Sequence, residues 1–135
     1  MNKHYSVGAI IRRDDKYLLI DRVKIPHGYA CIAGHRKSDE SDEEAVEREV
    51  MEESKLVVVR KKLVYAELIP WNTCSKGMNV HDWKVYECET IGDVLIDPRE
   101  ANSFGWYTKK EITNLNLEPV WKHFFERLGI LDRNF

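Results

Sequence analysis

Acidic side chains crowd one short segment of this chain, and their spacing suits metal-dependent chemistry. Nine carboxylates lie between Asp39 and Glu53, against the single base Arg48, so the segment carries a net charge of −8. The whole chain carries −2, and the remainder is therefore +6. Like charges four residues apart on a helix repel each other. A positive partner is expected, and divalent ions such as Mg²⁺ take carboxylate oxygens and often share them with substrate phosphates.

Three of these carboxylates should lie on one side of a helix. At 100° per residue, Glu49, Glu52 and Glu53 fall within an arc of roughly 100°. This arc borders an apolar stripe within residues 45–50, which should face the core. The three side chains would then be partly desolvated and point the same way. The other carboxylates of the helix are expected to be ordinary solvated surface charge: Glu43, Glu44 and Glu47.

A longer pattern contains these carboxylates. It reads G-x5-E-x7-R-E-V-x-E-E-x-K-L and consists of Gly34, Glu40, Arg48, Glu49, Val50, Glu52, Glu53, Lys55 and Leu56. The pattern resembles the signature of the Nudix hydrolases, G-x5-E-x7-R-E-U-x-E-E-x-G-U, in which U is an apolar residue. One position departs, because Lys55 stands where the family has glycine. Chance agreement at the other eight positions is expected on the order of once in 10⁵ chains or less.

Local chemistry explains several positions of the pattern. Gly34 ends a short apolar run, and glycine lets the backbone approach a ligand closely. Ser41 followed by Glu44 forms a capping box, so a helix should begin directly after the serine. Arg48 can reach back to Glu40 in the preceding loop, where a bidentate pair would lock the loop to the helix.

The lysine at position 55 concerns the local turn. Glycine at this position would be a left-handed helix C-cap. A lysine in the same conformation costs about 1 kcal/mol. We therefore expect Lys55 to leave the acidic ligand set unchanged.

The resemblance implies a reaction and a metal. Nudix hydrolases cleave a diphosphate linkage in a nucleoside diphosphate joined to another moiety, as in a sugar nucleotide, a dinucleotide or a nucleoside triphosphate. By their positions in the motif, Glu49, Glu52 and Glu53 would hold Mg²⁺, with Mn²⁺ as the alternative. The carbonyl of Gly34 would complete a metal shell. The implied substrate is a small-molecule nucleotide diphosphate.

The resemblance also implies catalytic residues. These are three residues of the Nudix motif and a loop glutamate that precedes the last strand in some members of the family: Arg48, Glu52, Glu53 and Glu100. The general base stays open between Glu100 and Glu52, with Glu87 and Glu89 as weaker alternatives. Glu100 fits equally well as an ordinary loop carboxylate.

Candidate substrate contacts rest on charge and position. Arg22, Lys24 and His27 lie between a predicted hairpin and the strand at Gly34, where a cation would meet a phosphate. Solvated loop charge explains them equally well. His81 is a further candidate for reading the substrate. Its spacing from Cys74 fits no standard zinc site, and the pair lacks two further ligands.

Strand and helix signals alternate along the chain. They predict an α+β fold, an α/β/α sandwich of the Nudix type with a mixed sheet flanked by two helices. The predicted helices span residues 42–54 and 119–128. The predicted strands span residues 5–12, 17–23, 30–33, 56–69 with one bend, 80–88 and 104–107, with a loop at 72–79.

Composition bounds the class of protein. A chain of 135 residues with 43% hydrophobic and 33% charged content is expected to be one soluble globular domain, residues 1–135. Three cysteines (Cys31, Cys74 and Cys88) predict reduced thiols in a cytoplasmic protein. No apolar stretch has the length of a signal peptide or a membrane span. Basic residues are scattered and the pI is about 6.2, so no nucleic-acid partner is expected.

Two other functions stay open, and so does the oligomeric state. A catalytically silent ligand-binding or regulatory domain of the same fold is one, although such domains generally lose carboxylates from the Nudix motif. An isoprenyl diphosphate isomerase is the other, and would need a cysteine, Cys31 or Cys74, facing a deep apolar pocket. Dimers are common among such proteins, so a homodimer is an expectation from the resemblance alone.

Overall fold

A computed structural model describes residues 3–71 and 80–131 of the chain, and the predicted loop at 72–79 lies outside these residues. Seven strands and three helices are formed within them. The strands are β1 (His4–Arg13), β2 (Lys16–Arg22), β3 (Tyr29–Ala30), β4 (Ile32–His35), β5 (Val57–Ile69), β6 (His81–Ile91) and β7 (Ala101–Thr108). The helices are α1 (Asp42–Ser54), α2 (Lys109–Ile112) and α3 (Pro119–Arg127).

Strand β1 lies at the centre of the sheet. It forms a hairpin with β2, pairs antiparallel with β4, and pairs parallel with β6. The main path runs β3-β2-β1-β6-β5, with β7 on the other edge of β2. The sheet is therefore mixed, as the sequence predicts.

Side chains of β1 alternate between two cores. Val7 and Ile11 pack with Val50 of α1, whereas Ile10 packs with Trp121 of α3. Because successive residues of a strand point to opposite faces, one helix covers each face of the sheet. The predicted α/β/α sandwich is confirmed.

Besides shifts of a few residues in strand bounds, three details differ from the predicted elements. The short strand predicted at 30–33 is two strands, because the chain changes partner at Cys31, from β2 to β1. Strand β5 has two register shifts against β6, after Val58 and after Leu63, where one bend was predicted. The helix α2 was not predicted; a capping box of Thr108 and Glu111 starts it, but it lasts only four residues.

The ends of α1 follow local rules. Its N-cap Ser41 and Glu44 form the predicted capping box, so the helix begins at Asp42. Its C-cap Lys55 has φ 64° and ψ 8°, the left-handed conformation that a glycine would favour. Within the described residues, no helix has the length and apolar character needed to cross a membrane.

Candidate active site

The three carboxylates of the predicted arc differ in burial. Glu53 is 6% exposed and lies among the buried residues of α1. The side chain of Glu49 is 14% exposed and that of Glu52 is 54% exposed. The arc is therefore graded, from a buried carboxylate at the core to an exposed one at the surface.

Strand β4 approaches α1 closely at Gly34. A Cβ placed on this residue would overlap the carboxylate of Glu49. Only a residue without a side chain leaves room for that carboxylate, which explains the glycine at this position of the motif.

Arg48 ties the preceding loop to the helix and orients two carboxylates. Its Nε and Nη2 donate to the two carboxylate oxygens of Glu40, at 2.8 and 2.7 Å. Its Nη1 donates to Oε1 of Glu49 and of Glu52, both at 2.8 Å. These hydrogen bonds lower the pKa of Glu40 to about 2. The bidentate pair expected from the sequence is present.

Glu53 has the chemistry of a metal ligand. Its Oε2 is buried and has no hydrogen-bond partner within residues 3–71 and 80–131. Burial, with the nearby carboxylates of Glu49 and Glu100, raises its pKa well above its usual range. A buried carboxylate oxygen without a donor costs free energy unless a proton or a cation meets it. The oxygen atoms of Glu53 and of the nearby carboxylates therefore fit a hard divalent cation.

A cavity of about 520 Å³ opens beside α1. Eight of the sequence-predicted site residues line it: Arg22, Lys24, Gly34, Glu49, Glu52, Glu53, His81 and Glu100. His27 is exposed and does not line the cavity. Glu40 and Arg48 do not line it either, and Arg48 instead contacts two of the lining carboxylates, those of Glu49 and Glu52. Segments far apart in the chain thus meet at one cavity.

The basic side chains of the cavity are held by partners. Lys24 Nζ lies 3.1 Å from Oε1 of Glu100. Arg22 Nε donates to the carbonyl of Pro26 at 2.9 Å and lies 3.6 Å from Oε2 of Glu118. Both cations are therefore held at the cavity by groups of the protein itself.

Sequence reasoning missed Glu118. This residue is 3% exposed, lines the cavity and precedes α3, where it reads as an ordinary N-cap. Burial raises its pKa to about 7, although Arg22 opposes the shift. No periodic pattern marks Glu118 as buried, because its burial depends on contacts between α3 and the sheet.

Other predicted roles have plain structural outcomes. Two carboxylates assigned to solvent are exposed but partnered: Glu43 accepts from the hydroxyl of Tyr86 at 3.0 Å, and Glu47 from Lys61 at 2.6 Å. Cys31 is fully buried and does not line the cavity, so it does not face a substrate pocket as the isomerase hypothesis requires. Cys74 lies outside the described residues.

Comparison with protein families decides the family. The family model of the NUDIX domain matches residues 2–128, nearly the whole chain. The chain belongs to the Nudix family. Nudix hydrolases generally use divalent metals, in keeping with the carboxylates of α1.

Curated relatives carry the name NAD-capped RNA hydrolase NudC. The protein from Shigella dysenteriae is 38% identical over 111 residues, which cover 82% of this chain and 40% of the relative. The Escherichia coli protein is 38% identical over 98 residues, covering 72% of this chain and 36% of the relative. The chain thus spans about two fifths of the length of the curated relatives it matches.

Solved structures share the Nudix fold. A MutT NUDIX hydrolase from Burkholderia pseudomallei superposes with a TM-score of 0.83 at 22% identity, over 95% of this chain and 99% of that one. The NUDIX domain of Shewanella oneidensis NrtR, solved in complex with ADP ribose, gives 0.76 at 16% identity, over 96% and 86%. At these identities the likeness establishes the fold.

Proposed function

We propose that this Nudix protein is a Mg²⁺-dependent pyrophosphohydrolase, with Mn²⁺ as the alternative ion. Its substrate is a nucleoside diphosphate linked to another moiety: a sugar nucleotide, a dinucleotide or a nucleoside triphosphate. The observation that carries the proposal is the buried Oε2 of Glu53, which has no hydrogen-bond partner among the described residues and belongs to a Nudix motif that keeps all four of its glutamates, beside a large cavity.

The motif carboxylates would hold the metal. Glu53, Glu49 and Glu52 are its ligands in this proposal, with the carbonyl of Gly34. Bound divalent ions lower the pKa of water and neutralise charge on a reacting phosphate. Arg48 acts as a positioning residue, because it hydrogen bonds to two of the three carboxylates and does not line the cavity.

Other residues of the cavity would bind the substrate and activate the attacking water. Arg22 and Lys24 offer cations to the phosphates, and His81 lines the same cavity. Glu100 is our candidate for the general base, since its charge acts on Glu53 and it lines the cavity. Lys24 Nζ lies 3.1 Å from Oε1 of Glu100 and positions this carboxylate, which would accept a proton from the attacking water. Glu52 stays the alternative base, and His27 an outer phosphate contact.

A silent ligand-binding domain remains the second candidate. The structural likeness to the NUDIX domain of NrtR, solved with ADP ribose, favours testing it. The two functions differ in product formation, because a binding domain retains its ligand unchanged. All four motif glutamates are present in this chain, which supports hydrolysis.

A substrate panel tests the proposal. Sugar nucleotides, dinucleotides including NAD, nucleoside triphosphates, NAD-capped RNA and an isoprenyl diphosphate are incubated separately with the protein and Mg²⁺ or Mn²⁺, and the products are separated. We expect metal-dependent cleavage of at least one small-molecule class, lost in Glu53→Gln. Tight binding without any product would instead establish the silent domain, and isomerised isoprenyl diphosphate would overturn both.

Assembly and location are separate proposals. We propose a homodimer, which a native mass measurement tests directly. The cytoplasmic location stays a prediction from the cysteines, of which Cys31 and Cys88 are buried free thiols.

A further inference from the structure

Three histidines meet at one edge of the sheet. His4 Nδ1 and His35 Nε2 lie 3.2 Å apart, in hydrogen-bond contact. One ring nitrogen from each of His4, His35 and His81 lies within 4.8 Å of the other two. The ring centroids are separated by 4.4 to 5.6 Å. The cluster brings together residues up to 77 positions apart in sequence.

Strand pairing creates this cluster. His4 at the start of β1 is the register partner of His81 at the start of β6. His35 at the end of β4 is the register partner of Ser6, which lies two residues after His4 and so on the same face. The positions are therefore fixed by backbone hydrogen bonds of three strands, a rigid support for a ligand set.

We propose that His4, His35 and His81 form a second metal site, for Zn²⁺ or a similar borderline-soft ion. At a Zn–N distance of 2.0–2.1 Å, two ligands of a tetrahedral ion are about 3.3 Å apart. The 3.2 Å between His4 and His35 matches this separation. Because all three ligand atoms lie within 4.8 Å, a displacement of about 1.5 Å completes the triangle.

A neighbouring hydroxyl supports the assignment. Ser6 Oγ lies 3.0 Å from Nδ1 of His81 in the buried interior. When this Nδ1 carries the hydrogen and donates to Ser6, Nε2 is the unprotonated ring nitrogen, the form of imidazole nitrogen that binds a metal ion. Ligating histidines commonly have their second nitrogen fixed in this way.

The ligand chemistry separates this site from the carboxylates of α1. Imidazoles suit zinc, copper, iron and nickel, whereas carboxylate, carbonyl and water suit magnesium. His35 and His81 also line the main cavity, so the fourth position of the ion would open toward it. The inference goes beyond the proposed hydrolysis, which uses the carboxylates of α1 and assigns no metal ion to these histidines.

The site is tested by metal binding with protein that carries no histidine tag. Protein at a known concentration is dialysed against Zn²⁺ in millimolar Mg²⁺, and bound zinc is measured by elemental analysis. Co²⁺ replaces Zn²⁺ in a parallel experiment that records the visible absorption of the bound ion. We expect one Zn²⁺ per chain. The absorption of bound Co²⁺ should be that of an ion with a low coordination number and nitrogen ligands.

Matched variants locate the ion. His4→Ala and His35→Ala, both at half-buried positions, should weaken zinc binding at least tenfold, whereas the exposed His27→Ala should bind as the unmodified chain does. Circular dichroism establishes that each variant is folded. Glu53→Gln should keep zinc while losing the Mg²⁺-dependent reaction, which separates this inference from the proposed function. No bound zinc in millimolar Mg²⁺, or zinc lost in Glu53→Gln and kept in His4→Ala, would overturn the histidine site.

Discussion

Arg48 and Glu40 form two parallel hydrogen bonds, of 2.8 and 2.7 Å, that join the loop after β4 to the middle of α1. Further donor hydrogens of the same guanidinium reach the carbonyl of His35, at 3.0 Å, and the carboxylates of Glu49 and Glu52 in the Nudix motif, both at 2.8 Å. One side chain therefore fixes the loop, the end of β4 and the motif together. The planar guanidinium of arginine carries five donor hydrogens in a fixed arrangement, which allows these simultaneous contacts. A lysine ammonium has no such arrangement.

Substitution of Glu40 should destabilise the protein in a pH-dependent way. Glu40→Gln should lower the free energy of unfolding by about 1–2 kcal/mol at pH 7, because charge-assisted bonds to Arg48 are lost. The folded pKa is about 2, below the ordinary 4.5, so the contribution is present above pH 4.5. It is lost as the pH falls from 4.5 to 2, since the unfolded chain then binds the proton first.

Urea unfolding of both proteins from pH 7 to pH 2.5 measures this difference. Glu89→Gln is the control, because Glu89 pairs with Arg60 at 3.8 Å on the surface and should change stability by less than about 0.5 kcal/mol. A difference for Glu40→Gln that stays constant down to pH 2.5 would contradict the assignment.

Gly34→Ala should impair turnover while the protein stays folded. The new methyl group meets the end of the flexible Glu49 side chain, which can move at low cost. Displacing a positioned carboxylate by about 1 Å costs on the order of 100-fold in rate. A double-mutant cycle with Glu49→Gln checks the cause, because the two losses should not add. Additive losses would mean that Gly34 acts through another group.

Glu53→Gln should separate stability from activity. This substitution removes the charge from a buried carboxylate whose Oε2 has no donor in the described part of the chain, and it should raise stability in metal-free buffer by about 1 kcal/mol or more. The stabilisation by Mg²⁺ should be lost and the turnover rate should fall by orders of magnitude, because one ligand of the ion is removed. Thermal unfolding with and without Mg²⁺ measures both effects. The exposed Glu47→Gln is the control, and near-normal rates in Glu53→Gln would remove that residue from the ligand set.

Lys55→Gly should stabilise the end of α1. The lysine has φ 64°, which costs about 1 kcal/mol for a residue with a side chain. Glycine adopts this conformation freely, so the free energy of unfolding should rise by nearly that amount. Lys55→Ala is the matched control, because it removes the amine and keeps the strain. Equal stability of the two variants would show that the backbone conformation is not the cause.

Glu118 should make stability fall as the pH rises. Its folded pKa of about 7 exceeds the ordinary 4.5, so the folded state holds the proton longer than the unfolded chain does. Stability is therefore full below pH 4.5 and decreases up to pH 7, by at most about 3 kcal/mol. Glu118→Gln should abolish this decrease in denaturant unfolding, whereas the exposed Glu87→Gln should leave it. If the free energy of unfolding of Glu118→Gln and of the unmodified chain changed with pH in the same way, Glu118 would not be the cause of the decrease.

Local signals explain what sequence reasoning predicted well. The bounds of α1, its capping box and the conformation of Lys55 all depend on contacts within four residues, which the order of residues states directly. The pairing of Arg48 with Glu40 spans eight residues and follows from the motif. The strand at 30–33 was predicted as one element, because its change of partner at Cys31 depends on which strands lie on either side.

The amino-acid order by itself determined the acidic helix, its Nudix motif and the two-faced pattern of a sandwich, since each is a periodic or local feature of the chain. Only the tertiary structure decided which carboxylate is buried, placed Glu118 at the cavity and brought His4, His35 and His81 together. The physical reason is the same for all three. Burial and ligand geometry arise where strands distant in sequence pair, and no local pattern encodes which distant side chains will then be neighbours.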